Sequence, residues 1–201
     1  MKAITLFAAA GVALLAGCGP LVQIGGNAKA PVALLTLRAS AVPSERSRTV
    51  DTARTFSVVT PTVPGPLQTL RLPVITKDTE IAYLTGATWA EQPNKQFARV
   101  IADTLQSRGV AVLGPRSSGA GATRLLSGQL VDFGLDVRDP GQPKVILRYD
   151  ALLTGDGGKT LGLKRFDQSV PVSSQDPGTV AAALNTAANA AAGEIADWVV
   201  R

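Results

Sequence analysis

Apolar residues along this chain follow three rhythms: an unbroken run, a strict alternation and a three-four step. The alternation is clearest where Val131, Phe133, Leu135 and Val137 take turns with Asp132, Gly134, Asp136 and Arg138. Val145, Leu147, Tyr149, Ala151 and Leu153 repeat it. One apolar and one wetted face is the mark of an antiparallel strand. Asp139-Pro140-Gly141 separates these two strands. Asp156-Gly157-Gly158-Lys159 is a hairpin signal leading into a third strand, from Leu161 to about Val172. Earlier and shorter strands are predicted over residues 32–37, 56–60, 68–72, 80–84 and 110–113. Residues 43–53 read as a surface loop, and the Pro61, Pro64, Gly65 and Pro66 cluster as punctuation.

The three-four step predicts two helices. Phe97, Val100, Ile101, Thr104 and Leu105 form one stripe, opened by Pro93 at N1 and closed by Arg108 and the C′ glycine Gly109. Asp176 as N-cap and Pro177 at N1 open the second helix. Its stripe is Val180, Leu184, Ala187, Ala191, Ile195 and Trp198. The alanines predict close approach to a sheet, with Trp198 sealing the end. The expected architecture is an α+β two-layer sandwich, its mainly antiparallel sheet carrying both main helices on one face.

The unbroken run lies over residues 3–15, after Met1-Lys2. A short positive start, an apolar stretch of this length and small residues at its end describe a secretory signal. A membrane-spanning helix needs about 20 apolar residues. The run ends in Leu15-Ala16-Gly17-Cys18, which resembles the bacterial lipobox, where the cysteine is acylated and the leader is cut before it. The expected organisation is therefore a signal peptide over 1–17, a lipidated Cys18 with a flexible tether over 18–30, and one domain over 31–201. Stable anchoring needs two membrane signals, at roughly 0.8 kcal/mol per buried CH₂, and the acyl chains of a lipoprotein supply them. Gly19 stands where an aspartate would favour inner-membrane retention, so the resemblance favours the outer membrane, with the domain facing the periplasm.

Composition narrows the chemistry. The chain has 201 residues, 45% of them hydrophobic, no histidine and one cysteine, Cys18. A disulfide within the chain, a Cys/His zinc site and a Ser-His-Asp triad are all excluded. Ser117-Ser118 has no evident base. Gly119-Ala120-Gly121-Ala122 lacks the third glycine of a dinucleotide fingerprint and reads as a loop. Asp132 and Asp136 share a strand face and read as solvated. The net charge is +5, and removing Lys2 with the leader leaves +4. Arg38, Arg46, Arg48 and Arg54 are only loosely grouped, and no aromatics interleave with them as a nucleic-acid groove requires. The sequence predicts no nucleic-acid partner, no metal, no cofactor and no catalytic site. Arg46, Arg48 and Arg54, with Tyr83 and Trp89, are the candidate contacts to a partner or to lipid headgroups; for the two aromatics, packing in the core or at its rim is the commoner role.

Several motifs in order resemble one family. Ile81-Ala82-Tyr83, Thr88-Trp89-Ala90, Pro93 and the helix to Leu105 look like the central signature of the ABC-type transport auxiliary lipoproteins, the PqiC-like group. Residues 126–133, ending in Phe133, resemble that family's long strand, and 145–147 with 151–153 its next one. The closing helix, from 180–184 to 195–199, is similar too. The likeness covers roughly residues 32–200. It departs at Leu34-Leu35-Thr36-Leu37, where the family often has an aromatic pair, so a contact by that ring is not expected here. The resemblance implies an adaptor and not an enzyme. It would be an outer-membrane docking subunit working with an MCE-domain substrate-binding subunit, an ABC permease and an ATPase in lipid transport, and contact with phospholipid goes with that role. Two other classes stay open: a lipid-carrying protein with an apolar pocket, and an envelope-assembly or secretion lipoprotein.

Overall fold

A computed structural model describes residues 33–41, 55–113 and 122–200. Pro31–Arg201 forms one compact unit, and all that follows concerns it. The leader, Cys18, the tether, Arg46, Arg48, Arg54 and the motifs at 117–121 lie outside the described residues.

Seven strands form one mixed sheet: β1 (Thr55–Val58), β2 (Arg71–Lys77), β3 (Glu80–Thr88), β4 (Ala111–Leu113), β5 (Arg124–Asp136), β6 (Lys144–Thr154) and β7 (Thr160–Pro171). Two long helices, α1 (Pro93–Ser107) and α2 (Pro177–Val200), accompany it. The long registers are antiparallel, in the β2–β3 hairpin and the β5–β6–β7 meander. The parallel pairings, β1 with β4 and β5 and β2 with β5, extend over two or three residues each. This is the expected α+β sandwich, with a parallel component that alternation alone does not reveal.

β5 is the spine. One edge pairs with β6 along its length; the other is shared end to end by β1, the bridge Thr62–Gln129, and β2. Two glycines let this crowding happen. A Cβ at Gly134 would lie 2.5 Å from the Pro73 carbonyl oxygen on β2. A Cβ at Gly128 would lie 2.1 Å from the Asp150 oxygen and 2.8 Å from the Tyr149 hydroxyl. The bare glycine is what lets Tyr149 reach across and donate to the Ser127 carbonyl at 2.9 Å.

Packing explains both helices. α2 lies over β6 and β7 and beside α1, while α1 covers β1 and β4. In α2, adjacent small residues are buried in pairs, Ala187 with Ala188 and Ala191 with Ala192, because the helix is squeezed between sheet and neighbour. Asp176 caps it as expected, its Oδ1 accepting from the Thr179 amide at 2.9 Å. Gly109, at φ 84°, ends α1 as expected. Trp198 is half-buried against Phe166, 5.8 Å between ring centres.

Three expectations need correction. The strand over 32–37 is reduced to a single bridge, Leu35 to Trp89. The segment then runs as a strap held by side chains. Gln96 Oε1 accepts from the Leu37 amide at 2.7 Å, and Asn185 and Asn189 of α2 accept from the Arg38 and Ser40 amides. The strand over 68–72 begins instead at Arg71. Finally, a bulge between Leu130 and Asp132 breaks the β5 alternation. Leu126 and Leu130 point inward before it and Phe133 and Leu135 after it, leaving Val131 half-buried.

Candidate functional site

The two faces of the meander differ in kind. Toward the helices β6 buries Val145, Leu147, Tyr149, Ala151 and Leu153. Away from them it presents Ile146, Arg148, Asp150, Leu152 and Thr154, all partly exposed. This second face, open among the described residues, is the candidate contact surface.

Its middle is a lattice of ion pairs set by strand register. Asp132, Arg148 and Asp167 are direct neighbours across three strands, and the Arg148 guanidinium contacts Asp132 at 3.0 Å and Asp167 at 2.7 Å. One row along, Arg165 grips both carboxylate oxygens of Asp150, at 2.6 and 2.7 Å. That fork holds the Asp150 carboxyl below the usual carboxylate range. At one end the Asp136 carboxylate is buried and accepts from Arg138 Nε at 3.0 Å and Nη2 at 2.8 Å. The guanidinium keeps that carboxyl low against the opposing effect of burial. Two shallow concavities, of about 300 and 270 Å³, flank Asp136, Arg138 and Lys144.

At the other end the face turns apolar. Leu163 and Leu152 are direct partners, Leu152 pairs with Ser127, and Leu125 lies diagonally beyond. Leu163 is 75% exposed, Leu161 47% and Leu125 39%. Leu161 lies against Gly155 at the hairpin tip.

Asp132 and Asp136 do share this face, but as members of arginine pairs and not as a carboxylate couple. Trp89 is fully buried and tilts against Phe133 at 5.7 Å, so it is a core residue and its ring offers a partner no surface. Among the described residues its Nε1 has no hydrogen-bond partner, nor does the buried Asn94 Oδ1. Tyr83 is half-buried on edge strand β3, beneath the Arg71 guanidinium at 4.0 Å and beside the exposed Ile81. The structure brings neither aromatic to the leucine end. Those leucines sit out of phase with inward Gly162 and Phe166, and that phase is the sequence signal that marks them as exposed. Among the described residues no group of three or more Asp, Glu, His or Cys could hold a metal, and none of the described helices is long and apolar enough to cross a membrane.

No curated protein matches the chain. The fold recurs in a Xanthomonas campestris protein of the DUF330 family, at 19% identity and a TM-score of 0.72, covering 83% of this chain and 94% of that one. An uncharacterized protein is similar at 16% identity and a TM-score of 0.64, over 83% of this chain and 99% of its own. A hypothetical protein from Chlamydia trachomatis follows at 9% identity and a TM-score of 0.50, covering 72% and 96%. Residues 35–196, which take in every strand and nearly all of both helices, match the model for the ABC-type transport auxiliary lipoprotein component, and the chain belongs to that family.

Proposed function

We propose that this protein is a lipid-anchored adaptor of an ABC-type lipid transport system, acylated at Cys18 and held at the outer membrane with its domain in the periplasm. The observation that carries the reading is a family match across the whole described fold in a chain whose leader ends Leu15-Ala16-Gly17-Cys18. Its partners would be an MCE-domain substrate-binding subunit with its permease and ATPase. The energy source and the lipid conduit would belong to those chains. This one would supply position: the acyl anchor fixes the domain, and a surface of the domain receives the periplasmic end of the assembly. The basic side chains Arg46, Arg48 and Arg54 would assist an acidic partner or an anionic headgroup.

The two concavities described on the open face are lined mainly by charged side chains and do not favour a lipid-carrying role. An acyl chain needs an apolar lining.

The test is recovery of tagged, lipidated protein from crosslinked, detergent-solubilised envelopes, read by mass spectrometry. The expected result is enrichment of an MCE-domain protein together with its permease. Enrichment of other envelope machinery, with MCE proteins present in the input but absent from the eluate, would overturn the adaptor reading.

A further inference from the structure

Strand β7 is an edge: among the described residues it pairs with β6 and with no other strand. The Val172 amide donates to the Pro143 carbonyl, just before β6, at 3.0 Å. The register runs unbroken from Gly162 to Pro171 and carries that phase along the strand. Even-numbered residues therefore spend their backbone groups on β6. Odd-numbered ones, Leu163, Arg165, Asp167 and Ser169, aim theirs outward. Pro171 belongs to the outward set, where its missing N–H costs no ladder bond. A long edge with free donors and acceptors is a template for another strand.

From the charges on this edge we propose that β7 pairs antiparallel with β7 of a second copy, about a two-fold axis at Phe166. An outward-aimed residue must meet another, so the axis of such a pair falls on a residue and not between two. An axis at Arg165 sets that cation against itself, and one at Asp167 does the same for the acid. An axis at Lys164 faces Arg165 with Leu163. Only the axis at Phe166 sets Arg165 against Asp167, and it does so twice, as opposite charges directly across a ladder prefer. The open-face row Asp132, Arg148, Asp167 then continues into Arg165 and Asp150 of the second copy with its signs still alternating. Arg148 is shared by two acids, so Asp167 has a use for a second guanidinium. On the helix side Lys164 comes opposite Gln168, whose Nε2 donates to Glu194 of α2 at 2.8 Å. Neither Lys164 nor Glu194 forms an ion pair among the described residues, so the cation of one copy meets the acid of the other. Charges on an edge ordinarily keep it single; these oppose the registers on either side and reward one. Paired residues share a face, so the two open faces join into one continuous surface.

The test reads the register directly, in full-length lipidated protein within isolated envelopes under mild oxidation. The axis at Phe166 brings Leu163 opposite Ser169 of the second copy, at about 5.5 Å between Cα atoms, a span a disulfide can bridge. Within one chain the same two positions are roughly 20 Å apart. Both side chains are exposed, so the fold should tolerate the changes. A chain carrying both Leu163→Cys and Ser169→Cys should form a disulfide-linked dimer, and neither change alone should. Adding Arg165→Asp, or separately Asp167→Arg, should slow cross-linking about tenfold, since each turns two attractive pairs repulsive. Co-expressing these two variants should restore it, because one then supplies both acids and the other both cations. A folding defect would not be repaired by mixing. No dimer from the double-cysteine chain, single variants that cross-link as well as the double, or no recovery on mixing would each overturn the proposal. The envelope pull-down reads a different contact, so the adaptor reading and the edge pairing can fail separately.

Discussion

Successive residues of β6 live in two different environments. Leu147, Tyr149 and Ala151 face α1 and α2 and are sealed from water, whereas Ile146, Arg148, Asp150 and Leu152 face outward and keep part of their surface wet. The inward face is irregular in shape but uniform in chemistry, and its partners are fixed by packing. The outward face is regular in geometry and varied in chemistry, with ion pairs in the middle and leucines at one end. Stability therefore rests on one side of the strand, and the other is free to vary with what it contacts.

Removing Tyr149 should break this comparison most sharply. Its ring is fully buried, edge-on to Phe97 at 5.5 Å, and its hydroxyl reaches Ser127 through the space that Gly128 leaves. Burial also pushes the phenol pKa above its ordinary value, so the group is a neutral donor at every physiological pH. Tyr149→Ala should cost about 3–5 kcal/mol, the range for large aromatics lost from a core, read from urea unfolding. A cost within that of exposed substitutions would mean that the two faces are not energetically distinct.

A second change probes the strap, which belongs to neither face. Asn189 accepts from the Ser40 amide at 2.7 Å and donates to the Arg38 carbonyl at 2.9 Å, both exposed to solvent. Asn189→Ala should cost roughly 1 kcal/mol, the net worth of such bonds. Hydrogen exchange should rise at Ser40 while the amides of β6 keep their protection. Loss of protection in β6 as well would show that the strap is part of the cooperative core.

These cases show what local pattern can and cannot reveal. α1, α2, the meander and the turn at 156–159 are legible because periodicity and capping are local signals. The strap is not, since Leu34-Leu35-Thr36-Leu37 looks like any short strand, and it is Gln96 on α1 and two asparagines one turn apart on α2 that give its backbone other partners. The start of β5 is hidden by Gly128 and by the bulge at Val131, which interrupt alternation. Trp89 as a residue type fits recognition as well as packing, and its burial against Phe133 is a tertiary fact. Of the candidate contacts, only Tyr83 keeps surface among the described residues, and the leucine end emerges once register fixes which side of β7 faces out.

The smallest expected effect lies at the charged end of the open face. Asp136 is buried, but its partner Arg138 is partly exposed and shares itself with Asp78 at 2.8 Å, with Lys144 nearby. Asp136→Asn keeps an oxygen to accept from Arg138, so at neutral pH the variant should lose less than about 1 kcal/mol. The sign of the pH dependence separates charge from shape. Arg138 lowers the folded-state pKa of Asp136. The stabilisation is therefore complete above the unfolded value of about 3.9 and disappears as the pH falls through the lowered one. Glu80, Glu91 and Asp150 are held low by Lys77, Arg99 and Arg165, so both proteins should weaken in acid. The difference between their urea midpoints isolates Asp136: steady from neutral pH down to about 4, then closing. A gap that stays constant into strong acid would mean that the carboxylate serves by shape alone, and that the ion pairs of the open face contribute register and not stability.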